Sequence, residues 1–195
     1  YKFSEMHPDI NVNIYGSNQV EDLQKKHIDI AIRFGPLNRL NAGGKLTCEP
    51  FGEDLVFPVC SPELQARMAL KHPRDLLNCR LVSLAHEREI TWARWFETAN
   101  VCEYQSSKHS TTVTSGDMAL SAALSGHGVT LAAGALFSPY IKTGQLIFPF
   151  KIQHPNTLHR YLAYDAQSPK IKRIQLFNAW LQDEISMSDQ LLSQI

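Results

Sequence analysis

No sign of charge predominates in this sequence: Lys plus Arg and Asp plus Glu each number 19. The balance also holds locally, with nine of each sign in residues 1–74, seven in 75–165 and three in 166–195. There is no basic arm and no acidic tail. Gripping nucleic acid through its backbone requires clustered Lys and Arg that displace counterions, and this stretch is not built for that. No apolar run approaches the ~18 residues of a membrane span. The opening Tyr1-Lys2-Phe3-Ser4-Glu5-Met6 lacks the charged and apolar regions of a signal peptide, and a start without Met reads as a piece of a longer chain.

Cysteine is scarce. Cys48, Cys60, Cys79 and Cys102 are separated by 12, 19 and 23 residues, with no C-x-x-C pair and no His at zinc-ligand spacing. They read as reduced, mostly buried thiols of a cytoplasmic protein, and neither a metal nor a cofactor is expected. The eight histidines form no His-x-x-x-His or His-Glu-x-x-His pair. No Gly-x-Ser-x-Gly elbow and no nucleophile with a partner base are visible, so no catalytic residue is named.

What is present is an ordinary globular composition, 44% hydrophobic and 19% charged over 195 residues. Short apolar or alternating stretches predict strands at 10–14, 28–34, 55–59, 80–84, 110–114, 129–132, 145–148 and 161–164. Helical patterns lie between them. Thr91 is placed to cap a helix whose stripe is Trp92, Trp95, Phe96 and Ala99, and that spacing favours core packing over ligand stacking. A second helix, Asp117 to Ser125, is Ala, Leu and Ser rich and ends in Gly126-His127-Gly128. That glycine pair follows a helix and precedes a strand, the reverse of a phosphate loop. The last helix starts at Ser168-Pro169, with a stripe of Ile171, Ile174, Phe177, Leu181 and Ile185. Its basic residues come first and its acidic residues last, against the macrodipole, so packing must hold it. Strands alternating with helices predict an α/β body with a mainly parallel sheet.

Such sheets bind ligands where loops leave the carboxyl ends of strands. Four loops qualify: Arg33 to Pro36, Cys60 to Pro62, Thr114 to Asp117, and Ala132 to Ala135. Ser61 and the Ser115 to Asp117 group also stand at helix starts, where free amides and the dipole favour a carboxylate. Each of them can equally be a cap of its own helix. His86 to Glu89 reads as a polar loop at a cleft mouth.

Taken in order, His7-Pro8-Asp9-Ile10, Asp29 to Gly35, Val59-Cys60-Ser61-Pro62, Pro73-Arg74-Asp75-Leu76, Trp92-x-x-Trp95, Ala122 to Gly126 with Gly128-Val129, Gly144-Gln145-Leu146 with Pro149-Phe150, and Ser168-Pro169-Lys170 resemble LysR-type transcriptional regulators. More narrowly, they resemble the glycine-cleavage-activator and β-lactamase-regulator-like branch. The match runs from His7 to Leu181. The resemblance implies an effector-binding domain with the type 2 periplasmic-binding-protein fold: two Rossmann-like subdomains joined by two crossing strands, near Val59 to Pro62 and Leu162 to Asp165. Residues 1–61 plus 164–195 would form one subdomain and residues 62–163 the other. A small-molecule effector, a small carboxylate or wall fragment, would bind between them at Phe34, Gly35, Pro36, Ser61, Ser115, Gly116, Asp117, Gly134 and Tyr161. Homodimers or tetramers are implied, with Gln19 to His27 and Asp117 to Ser125 as pairing faces. DNA would be bound only through an N-terminal winged helix-turn-helix outside this chain, and the family's opening strand would lie between that module and His7. The chain departs from relatives at Ser115-Gly116-Asp117 and at Ala132-Ala133-Gly134, so no particular effector is transferred. The alternatives are a periplasmic solute-binding protein of the same fold and, from another class, an enzyme built on it.

Overall fold

The computed structural model describes residues 1–17, 21–35, 46–85, 87–106 and 109–192; Pro36, His86 and the start of the Gln19 to His27 face lie outside them. The chain divides into two compact units, Tyr1–Gly52 with His159–Ile195, and Glu53–Leu158.

In the first unit the run of isoleucines around Asp29 forms β1 (Ile30–Phe34), which pairs antiparallel with β7 (Leu158–Tyr164), Ile30 opposite Tyr164 and Phe34 opposite Arg160. On the other side of β7 lies β2 (Thr47–Asp54). The sequence does not announce β2, because Pro50 and Gly52 interrupt it. Gly52 sits at φ +140°, and a Cβ there would lie 2.5 Å from Arg160 Nη2. The guanidinium crosses over that glycine and stacks on Phe51, 5.6 Å from the ring centre.

The last helix, α6 (Ile171–Leu192), follows the Ser168 hydroxyl, which accepts from Lys170 N at 3.2 Å. Its expected stripe is its inner face: Ile174 is buried, and Phe177 meets Phe3 of α1 (Lys2–Met6) edge-on at 5.1 Å. Polar contacts reinforce the seam. Tyr164 OH donates to Glu49 at 2.5 Å and Asn178 Nδ2 donates to the same carboxylate at 2.7 Å, tying β7, β2 and α6 together. The Glu49 bond, with burial, pushes the Tyr164 hydroxyl up to about 12 from its ordinary 10. A raised value means that this stabilisation is complete below about pH 10 and fades as pH climbs towards 12. Tyr164→Phe is expected to lose about 1–2 kcal/mol at neutral pH, with the variant converging on wild type in alkaline melts.

The second unit carries the sheet β3-β6-β4-β5, made of β3 (Val56–Val59), β4 (Leu81–Leu84), β5 (Ser110–Val113) and β6 (Val129–Ala133). β4 runs parallel to both β5 and β6, whereas β3 runs antiparallel to β6. The sheets are therefore mixed rather than mainly parallel. Parallel neighbours need a helical crossover; β3 and β7, which follow the two chain passages between units, each run against a neighbour.

The core of this unit is Cys60, Leu64, Leu76, Cys79, Leu81, Val129 and the aromatic face of α3 (Trp92–Thr98). The Thr91 hydroxyl accepts from Arg94 N as the cap. Trp92 and Trp95, 3% and 0% exposed, are core residues whose indole N–H groups bond the carbonyls of Val82 and Ile152. All four cysteines are free; burial pushes Cys60 up to about 12 and Cys79 up to about 11.

Three further expectations are corrected. Residues 10–14 alternate like a strand but form none, and Ile14 is 94% exposed, since alternation gives no ladder without a neighbour to pair with. Residues 145–148 contribute only an isolated bridge, Ile147 to Cys60, because the chain has just left the Gly144 turn. Residues 23–27 are turns, not a helical face. Two helices went unread: α1, and α5 (Gly134–Lys142), which contains Pro139 and holds Phe137 against Phe57 and Phe148 at 6.5 and 5.1 Å.

Candidate functional site

In the first unit Phe34 ends β1 at 51% exposure, and Gly35, at φ +119°, donates its N–H to His159 O at 3.0 Å. Tyr161 lies opposite Arg33 and is 8% exposed, its ring tilted against His159. Because side chains alternate across a strand, the pairing of Phe34 with Arg160 puts Phe34 on the face opposite Tyr161. The structure brings Gly35 and His159 together and sends the Phe34 and Tyr161 side chains apart.

In the second unit the expected residues also divide. Ser115 caps α4 (Gly116–Leu124), its hydroxyl accepting from Met118 N at 3.3 Å. Asp117 is exposed in the first turn and does not cap. Gly134 opens α5, where Ala133 stands as N-cap with no side-chain bond, and the Gly134 N–H donates to Leu55 O at 3.1 Å. A Cβ on Gly116 would lie 3.3 Å from Leu136, so the first turns of α4 and α5 pack against each other. These turns follow β5 and β6, which run in one direction, so both stand at the carboxyl edge of the sheet.

Ser61 stands elsewhere. Since β3 is antiparallel to β6, with Val56 opposite Ala133 and Val59 opposite Thr130, the residue after β3 lies at the amino edge of β6. There Ser61 is 5% exposed, caps α2 (Pro62–Met68) by accepting from Leu64 N at 3.2 Å, and lies beneath Gly126, whose Cβ position is 3.3 Å from its Oγ. Arg67 closes the seam, Nη2 donating to Gly126 O at 2.6 Å. The loop rule holds for parallel strands, and the sequence does not disclose that β3 is antiparallel.

One position at the carboxyl edge escaped the sequence reading, and one residue of an expected loop stands beside it. Ala85, whose N–H donates to Val113 O at 2.7 Å, ends β4. Thr114, beside the α4 cap, donates to Met118 Sδ. The signal for Ala85 was available, since it leaves a parallel strand. Electrostatically this edge gathers the positive ends of two helices, and Ala133 leaves the α5 end without a side-chain acceptor.

Comparison with known proteins bears on the family and the fold. The LysR substrate binding domain family model matches residues 1–186. The HTH-type transcriptional regulator BlaA of Proteus vulgaris is 31% identical over 94% of this chain and 59% of its own length. The HTH-type transcriptional activator AmpR of Rhodobacter capsulatus is 32% identical over 92% of this chain and 58% of its own length. The solved effector domain of AmpR from Pseudomonas aeruginosa superposes with a TM-score of 0.79 at 25% identity, covering 97% of this chain and 87% of that one. The chain spans about three fifths of the length of the curated relatives it matches. Those relatives are transcription regulators, neither transport proteins nor enzymes. The two-unit α/β chain described above therefore belongs to the LysR substrate-binding domain family and has the type 2 periplasmic-binding-protein-like fold of its effector domains.

Proposed function

We propose that this chain is the ligand-sensing and oligomerising part of a cytoplasmic transcription regulator that binds DNA through a separate helix-turn-helix module. In this reading the chain is not an enzyme. The observation that carries the ligand site is the pair of packed helix starts at the carboxyl edge of the second unit's sheet. Ser115, Gly116, Asp117 and Gly134 there supply a hydroxyl and first-turn amides suited to a small carboxylate or a wall-fragment peptide. In the first unit Phe34 and Gly35, with Pro36, are the proposed ligand contacts, whereas Tyr161 is buried on the opposite face of the sheet; Ser61 of the second unit serves as a helix cap. An effector that binds one arrangement of the two units better than another shifts the population, and with it the spacing of the attached DNA-binding modules. The exposed α4 face around Met118 is the surface proposed to pair with a second copy; light scattering at tens of micromolar reports a mass above one chain if it does.

Calorimetric titration of small carboxylates and wall-fragment peptides tests the site. Ser115→Ala is expected to weaken the binding found by about tenfold or more, the cost of one hydrogen bond to a charged group. Ser61→Ala is expected to leave affinity unchanged and to lower stability by about 1 kcal/mol through loss of the cap. Affinity lost on Ser61→Ala and kept on Ser115→Ala would overturn the assignment.

A further inference from the structure

His154 of the second unit is fully buried, and both edges of its ring rest on backbone. Nε2 lies 3.2 Å from the amide nitrogen and 3.2 Å from the carbonyl oxygen of Thr91. Nδ1 lies 3.0 Å from the amide nitrogen and 3.2 Å from the carbonyl oxygen of Asn156. The His154 N–H donates to Val56 O of β3 at 2.8 Å. Two more bonds fasten the same segment to the same helix start: Trp95 Nε1 to Ile152 O at 2.9 Å, and Asn156 Nδ2 to Glu89 O at 3.2 Å.

A neutral imidazole has one N–H and one lone pair. In either tautomer one ring nitrogen donates to a carbonyl and the other accepts an amide proton, so both ring nitrogens are paired and one of the two facing amides has an acceptor. A protonated ring must donate from both nitrogens. The Thr91 and Asn156 amides then both face a cation, which is held where it cannot be hydrated. Among the described residues the charged groups acting on the ring are Arg94 of α3, which opposes the proton, and Glu87 of the loop before it, which favours it; β3 brings Val56. The Asn156 and Thr91 carbonyls, which can accept from a protonated ring, also favour the proton; burial, the largest effect, outweighs them and Glu87 and holds the ring below the ordinary imidazole value of 6.5.

We propose that His154 is an acid-operated latch: neutral, it clamps the 150–157 segment onto the start of α3, and on taking up a proton it releases both. The open segment exposes an ordinary imidazole, so opening binds a proton below about pH 6.5, and the opening equilibrium rises about tenfold per further pH unit until the clamped ring itself titrates. The latch gives the second unit a proton-sensitive input on α3, separate from the helix starts proposed to hold an effector.

Amide hydrogen exchange, corrected for intrinsic rates and measured at about pH 7.5 and about pH 5.5, reads the latch. Protection at Thr91 and Asn156 is expected to fall about tenfold relative to Val82 and Val129 on acidification. His154→Gln, which donates and accepts but does not ionise, is expected to abolish that difference. An equal pH dependence in His154→Gln, or none in the wild type, overturns the proposal. Should the variant fail to fold, the imidazole titration of the wild-type protein decides: a ring that titrates below the ordinary value supports the latch, and one at or above it overturns the latch.

Discussion

Trp95→Ala is expected to destabilise the second unit by about 3–5 kcal/mol, the range for emptying a buried aromatic site. The indole is 0% exposed and packs edge-on against Trp92 at 5.8 Å and Phe96 at 5.2 Å. These neighbours are themselves fixed: Trp92 bonds Val82 O, and Phe96 is stacked on Tyr104 at 4.7 Å. A cavity among such partners collapses poorly, which puts the loss towards the upper end. A second cost comes from Ile152 O, which accepts Trp95 Nε1–H at 2.9 Å and loses its partner. Trp95→Phe separates the two effects, because the ring volume is largely kept and the donor removed; about 1–3 kcal/mol is expected there. Urea unfolding followed by far-ultraviolet circular dichroism measures both. A midpoint for Trp95→Ala within about 1 kcal/mol of the wild type would show that α3 is not the anchor of this core.

Elements whose cause is local were legible in the sequence. Thr91 as a cap and the Trp92, Trp95, Phe96 stripe required only helical spacing, and the structure buries all three rings. Ser115 as a cap and the α6 stripe follow the same logic. Elements whose cause is a distant neighbour were not legible. β2 carries Pro50 and Gly52, and Gly52 is required by the Arg160 guanidinium from a strand more than a hundred residues later. The direction of β3 is likewise set by its pairing with β6 and not by its own residues, which is why the sequence does not show that Ser61 stands at the opposite edge of the sheet from Ser115. Residues 10–14 show the converse: the alternation is present, and no described strand pairs with it.

Gly128→Val is expected to destabilise the same unit by about 3 kcal/mol and Gly128→Ala by about 1–3 kcal/mol, and the cause is space and not backbone conformation. A Cβ at this position would stand 2.7 Å from Arg80 O and 2.9 Å from Val82 Cγ2. Arg80 O cannot retreat without cost, because it accepts the Val129 N–H at 2.9 Å and so fixes the register in which Leu81 faces Val129. Displacing residue 128 therefore loosens β6 from β4, and β6 lies between β3 and β4 in the sheet. Gly126, two residues earlier, makes a mainly different demand: it holds φ +66° at the end of α4, and a Cβ there would meet Ser61 Oγ at 3.3 Å, so Gly126→Ala is expected to cost about 1 kcal/mol, chiefly the penalty for a side chain in the left-handed region. Thermal or urea melts of the two alanine variants distinguish these demands. If Gly126→Ala proved the more damaging of the two, conformation would govern the turn, and the close approach of residue 128 to β4 would not be what fixes the register. The two glycines, one bent and one thin, thus serve a helix end and a strand contact at the amino edge of the sheet, far from the helix starts proposed to meet an anion.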